Sequence, residues 1–167
     1  LIITTVDLVK FRSNGGTFEQ VTTVASLAQL ALPVPSPTFP REITRGSMAA
    51  SGDGNFIFGA TDAFVFAYQV PSPSAVLYVR PTLSFVKPLG PPLVTASFDG
   101  SYFMAGQYLL DRRLRVVAEH PDGDPSQLNV GSHAIDFANR SIYAAFAEVG
   151  AASTAPPTGT TGTGGTT

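Results

Sequence analysis

The chain has 167 residues, enough for one domain with a sizeable core, and carries 10 Lys and Arg against 12 Asp and Glu, a formal net charge of -2. Hydrophobic residues make up 44% and charged residues only 13%, where roughly 25% is ordinary, and the basic stripe that nucleic acid demands is missing. The absence of cysteine excludes disulfides, thiol nucleophiles and cysteine-based metal sites, and no apolar run approaches the ~20 residues of a membrane-spanning helix.

Residues 1–5 and 8–12 read as two β runs with little between them. The chain thus begins inside a strand and at Leu1 rather than Met, which points to a processed product or an excised segment. Ser13-Asn14-Gly15-Gly16 is a hairpin signal, because Asn and Gly tolerate the positive φ of tight turns. Residues 17–24, with β-branched Val21, Thr22, Thr23 and Val24, supply the returning strand of a three-stranded meander. Residues 25–45 form a connector. Its first part, 25–32, suits one or two helical turns; Pro33, Pro35, Pro37 and Pro40 then favour an extended, polyproline-like path.

From Gly46 a phrase repeats. Met48-Ala-Ala-Ser-Gly-Asp53-Gly54-Asn-Phe-Ile-Phe58 returns as Leu93-Val-Thr-Ala-Ser-Phe-Asp99-Gly100-Ser-Tyr-Phe-Met104 and, more loosely, as Ser132-His-Ala-Ile-Asp-Phe-Ala-Asn139-Arg140-Ser-Ile-Tyr143. The turns lie 46 and then 40 residues apart, a period typical of stacked four-stranded units. Predicted strands cover 48–51, 55–60, 63–70 and 75–80 in one unit, and 93–98, 102–107, 108–111 and 114–119 in the next. An offset of 55 aligns Asp7 with Asp62 and Phe11 with Phe66, so the first residues match strands two to four of a unit. Residues 133–137 and 141–149 match strands one and two of another. Beyond the 1–150 domain, residues 151–167 are Thr, Gly and Pro with no large apolar side chain, which reads as a linker or stalk. Thr158, Thr160, Thr161 and Thr163 beside Pro157 also match an O-glycosylated stalk, although a plain linker explains them more simply.

The small-residue first strand, the Asp-Gly or Asn-Arg turn and the aromatic second strand make residues 1–149 resemble a β-propeller. The resemblance is specifically to divergent bacterial repeats of the YVTN, quinoprotein and WD40-like kind. It implies an all-β fold of repeated antiparallel four-stranded units with an extended C-terminal tail. In such a fold Ala49, Ala50, Ser51 and Ala96 would crowd round a central channel, and Phe56, Phe58, Tyr102 and Phe103 would pack between blades. The Trp-Asp pair of true WD40 repeats is missing, since the chain has no Trp. About three to four blades can be counted where closure takes ~4 to 8, so the propeller is partial or is completed by self-association. No functional residue transfers with the resemblance.

Residues that carry chemistry are few. His120 and His133 are the only histidines, and neither has an i+4 partner for a helical metal site. His133 opens a predicted first strand, where it either points into a channel or simply ends the strand. Asp122 and Asp124 flank Gly123 in a loop and offer two carboxylates suited to Ca²⁺. The further ligands of an EF-hand loop are missing, and Asp-Gly is a common turn. The likeness of Gly52-Asp53-Gly54-Asn55 to Phe98-Asp99-Gly100-Ser101 favours a repeated structural turn over repeated metal sites. Arg112, Arg113 and Arg115 either cover an anionic ligand or guard a strand edge. Gly46-Ser47 lacks the second glycine of a nucleophile elbow, and Ser132 and His133 are adjacent, so on a strand they point to opposite faces. Asn139-Arg140-Ser141 is a formal N-glycosylation sequon.

These features favour a non-catalytic, extracellular interaction or self-assembly module of a bacterial surface or secreted protein. It would meet a protein partner or copies of itself through its sheet edges. The alternative is a fragment of a propeller hydrolase or quinoprotein-like oxidoreductase with a channel-lining site, a reading that would fade if His133, Arg112 and Asp136 could each be replaced by Ala without loss of activity. A sugar-binding module using Tyr68, Tyr78 or Tyr108 is a third option, although core or inter-blade packing explains those tyrosines more simply.

Overall fold

The computed structural model describes residues 1–4, 6–27, 42–70, 76–119, 128–136 and 138–148. Thirteen strands and a turn of 3₁₀ helix, Thr82–Ser84, are found among them. β1 (Ile2–Ile3), β2 (Asp7–Asn14) and β3 (Thr17–Ser26) form the first sheet, and β4 (Gly46–Ala50), β5 (Phe56–Thr61), β6 (Phe64–Gln69) and β7 (Leu77–Pro81) the second. β8 (Val94–Ala96), β9 (Tyr102–Ala105), β10 (Tyr108–Asp111) and β11 (Val116–Glu119) form the third, and β12 (Leu128–Asp136) with β13 (Ser141–Glu148) the fourth. Every sheet is an antiparallel meander whose strands pair in chain order. The fold is all-β. Among the described residues no helix is long and apolar enough to cross a membrane.

The helical turns expected from residue 25 do not begin there, because Ala25 and Ser26 extend β3 opposite Leu8 and Asp7. Residues 28–41 of the connector and the 151–167 tail lie outside the described residues.

The second sheet sits at the centre of the packing. Successive side chains of a strand face opposite sides. Phe56, Phe58, Val65 and Ala67 therefore join Phe103, Ala105, Tyr108 and Leu110 of the third sheet in one core. Phe64, Phe66 and Tyr68 join Leu8 and Ala25 of the first sheet in another. A sheet covered on both faces needs apolar side chains at every position, which is why Phe64-Val-Phe-Ala-Tyr68 shows no alternation. The Phe58 ring stacks on Phe103 with centroids 4.4 Å apart. Gly59 lies opposite Phe66 in the ladder, and a Cβ there would come within 2.2 Å of that ring. Tyr102, expected between the sheets, is exposed, because the alternation of β9 turns Phe103 inward instead.

Turn chemistry repeats at both ends of the sheets. At the far end, the Ser51 hydroxyl donates to Asp53 Oδ1 at 2.5 Å and accepts the Phe56 amide at 3.0 Å, while Asp53 accepts the Asn55 amide at 3.0 Å. Ser97 donates to Asp99 Oδ1 at 2.9 Å and accepts the Tyr102 amide at 3.1 Å, while Asp99 accepts the Ser101 amide at 3.0 Å. In the third, looser copy Arg140 takes the positive φ, 53°, and Asp136 accepts the Asn139 amide at 3.1 Å.

At the opposite, leading end, Thr4 and Thr61 accept the amides of Asp7 at 2.9 Å and Phe64 at 2.8 Å. The turns therefore match Asp7 with Phe64, an offset of 57, and not with Asp62. The offset of 55 holds only at the unit's end, where the Leu27 and Thr82 amides donate to Val6 and Ala63.

The two Ser-Asp turns also interlock. The Asp53 amide donates to the Phe98 carbonyl at 2.9 Å, and a Cβ on Gly100 would lie 2.5 Å from the Phe56 ring. Gly54 and Gly100 share a positive φ, 73° and 65°, but Gly54 has open space beside it. Gly54→Ala should therefore cost about 1–2 kcal/mol, the backbone penalty alone. Gly100→Ala should cost about 1–3 kcal/mol more through overpacking. Urea denaturation of the two variants compares them; equal losses would mean that Phe56 does not seat against Gly100.

Candidate functional site

The turn geometry gathers the starts of the first strands, the β5–β6 and β9–β10 turns and the 82–93 connection at the leading end. A cleft of about 640 Å³ opens there between the second sheet and the 82–93 connection. Thr61 and Asp62 of the β5–β6 turn form one wall, Phe85, Leu89 and Pro91 of the connection another, and Arg45 flanks the start of β4. A smaller hollow of about 320 Å³ continues past Arg45 against Ile3 and Ile43. The Asp62 carboxylate accepts the Thr44 amide at 3.0 Å and its hydroxyl at 2.5 Å. The cleft thus offers one carboxylate, one guanidinium and a largely apolar wall.

The 82–93 connection is held from several sides. Arg80 Nη1 donates to the Leu114 carbonyl at 2.9 Å, its Nε donates to Ser84 Oγ at 2.8 Å, and its guanidinium lies 4.0 Å over the Phe85 ring. The Tyr108 hydroxyl donates to the Lys87 carbonyl at 2.9 Å and accepts the Lys87 amide at 3.0 Å. Gln107 Nε2 donates to the Pro88 carbonyl at 2.5 Å, and Ser47 Oγ donates to the Pro92 carbonyl at 2.5 Å. Gly106 permits this close docking, since a Cβ there would stand 1.9 Å from the Leu89 carbonyl oxygen. Phe85 and Leu89 are buried within the frame, whereas Val86 is 96% exposed and Leu83 47%.

The residues named from sequence for chemistry are engaged separately. Half-buried His133 on β12 places Nδ1 2.8 Å from Thr95 Oγ1 on β8. Asp136 is occupied by Asn139 through its amide and by Nδ2 at 2.8 Å. The Arg112 guanidinium lies 5.5 Å from the Phe56 ring centroid. Arg115 pairs with Asp111 at 2.7 Å, and Asp111 also accepts the Arg113 and Arg115 amides. The arginine group therefore belongs to the β10–β11 turn rather than to a strand edge. Tyr68 and Tyr108 are buried in the two cores and only Tyr78 is exposed, which removes two of the three tyrosines from a sugar-binding surface.

His120, Asp122, Asp124, Thr158, Thr160, Thr161 and Thr163 lie outside the described residues. Among the described residues no three His, Asp or Glu side chains gather as a metal-binding group. Sequence reasoning passed over Arg45, Leu83 and Val86. The available signal was the run Leu83-Ser-Phe-Val-Lys-Pro88, which holds apolar residues in a connection instead of a strand. The chain matches no protein-family model, no curated protein and no solved structure.

Hydrogen bonds hold the turn carboxyls below their ordinary value. For Asp53 the Ser51 hydroxyl contributes most, and for Asp136 the Asn139 side chain does. Burial pushes Asp99 and Asp111 up, but the bonds from Ser101 and Ser97, and from Arg115 and Arg113, together outweigh it. A lowered carboxyl stabilises the fold fully above its unfolded value, ~4, and that contribution is lost as pH falls through the lowered value. Urea midpoints should accordingly drop below about pH 4, and Asp99→Asn should flatten part of the drop. Arg80→Ala should destabilise by about 1.5–3 kcal/mol, typical of hydrogen bonds from a charged group. It should also speed amide exchange across 82–93, and unchanged exchange there would mean that Arg80 does not hold the connection.

Proposed function

We propose that the chain is a non-catalytic, propeller-like interaction module that meets protein partners, copies of itself first, through the leading-end surface around Leu83 and Val86. The observation that carries this is the exposure of Val86, 96%, beside buried Phe85, on a connection framed by Arg80, Tyr108 and Gln107. An apolar side chain already held in place costs little further ordering when it docks. Its burial contributes about 1.5–3 kcal/mol, and the adjoining cleft offers a recess for a partner side chain. The 13% charged composition supports the reading, since interface centres are depleted in charge.

The propeller-like arrangement is supported by successive meanders and by first strands β4, β8 and β12 lying against one another in turn. Blades from a longer chain or from a second copy would complete such a ring. The Thr-, Gly- and Pro-rich 151–167 segment suits a stalk on a surface or secreted bacterial protein. An enzyme fragment is less well supported, because His133, Arg112 and Asp136 each serve a different local contact.

Light scattering behind a sizing column tests the module directly. The mass should rise with concentration above that of one chain, and Val86→Asp should return it to a monomer with its thermal unfolding unchanged. A monomer at every concentration, with the amide resonances of 82–93 unmoved, would overturn self-association through this surface.

A further inference from the structure

The fourth sheet docks on the third through a reciprocal pair. The Thr95 hydroxyl donates to the His133 carbonyl at 2.8 Å, and the same oxygen lies 2.8 Å from His133 Nδ1. A hydroxyl has a single proton, and that proton is already on the carbonyl. With that proton on the carbonyl, Nδ1 carries the ring proton and donates it, which leaves Nε2 as a bare acceptor. Nε2 is buried and has no hydrogen-bond partner. The neutral ring fits this setting; a second proton would create a buried N–H⁺ with no acceptor in hydrogen-bonding geometry.

The surroundings offer little to compensate. β8 and β4 carry no titratable side chain, and Ala144 lies opposite His133 across the ladder. Asp136 on the same strand is tied to Asn139, and Tyr143 on β13 is 62% exposed. Burial holds the imidazole below its ordinary value, against a smaller upward pull from the backbone of His133 and Leu93. The rest of this contact is loose. A cleft of about 360 Å³ separates Met104 and Leu109 of the third sheet from Ile142 and Ala144 of the fourth, and the titratable group lining it, Glu119, is paired with Lys87 at 3.1 Å.

We infer that the His133–Thr95 pair is an acid-sensitive latch, which holds the β12–β13 sheet against the third sheet while the ring is neutral and releases it on protonation. The inference does not depend on which partner the module meets. The sign follows from a lowered histidine: its stabilisation is complete above the ordinary value, ~6.5, and is lost as pH falls from there toward the lowered one.

Amide hydrogen exchange of the whole chain between pH 7.5 and 5, corrected for intrinsic exchange rates, reads the latch. Protection of β12 and β13 should fall by up to about tenfold per pH unit below ~6.5, with β5 and β6 unchanged. In His133→Asn, whose amide can still donate to Thr95 but cannot take a proton, the β12–β13 response should be flat. Constant β12–β13 protection in the wild type, or the same decline in His133→Asn, would overturn the latch. The His133 ring resonances give a check that needs no variant: titration at or above ~6.5 would also overturn it.

Discussion

Burial of β5 and β6 on both faces is the constraint from which the remaining geometry follows. Phe56 and Phe58 project one way into the third sheet, while Phe64, Phe66 and Tyr68 project the other way into the first. With apolar area contributing about 25 cal/mol per Å², the second sheet cannot be stable without a cover on each side. Its neighbours are therefore fixed face to face, and the first strands are brought into line. Gly59 belongs to the same constraint, because only a residue without Cβ leaves room for the Phe66 ring beside it.

Once the sheets are stacked, their two ends differ in what they expose. At the far end the Ser-Asp turns consume their own polar groups in local hydrogen bonds, so the carboxylates of Asp53 and Asp99 are engaged within their own turns. At the leading end the connection from β7 to β8 must cross from one sheet to the next. Arg80, Gln107 and Tyr108 satisfy its backbone along the way. That restraint keeps Phe85 and Leu89 in the core and leaves Val86 and Leu83 facing water. A cleft forms where the β5–β6 turn and the proline-bearing wall do not meet.

The polar contacts between sheets differ in their dependence on conditions. The interlock of the second and third sheets rests on stacked rings and on bonds such as that from Ser47 to the Pro92 carbonyl, none of which titrates near neutrality. The third and fourth sheets instead share His133 and Thr95, across a looser contact. The proposed latch would make the fourth sheet respond to mild acid before the centre does.

The hairpin at Asn14-Gly15-Gly16, the Ser-Asp-Gly turns and the order of the strands were legible in the amino-acid sequence. Turns depend on a few adjacent residues, on glycine's tolerance of positive φ and on hydrogen bonds reaching two to five positions along the chain. Strand ends shifted by a residue or more, and the 55-residue alignment of Asp7 failed, because pairing partners and strand lengths set the register. The position of Arg80 under a carbonyl 34 residues away and the exposure of Val86 were not legible. Each is decided by which faces meet in space. Local chain chemistry alone therefore determined where this protein turns and that it is built from strands. Tertiary packing decided which side chains became core, clamp or surface, since that choice depends on contacts between residues far apart in the chain.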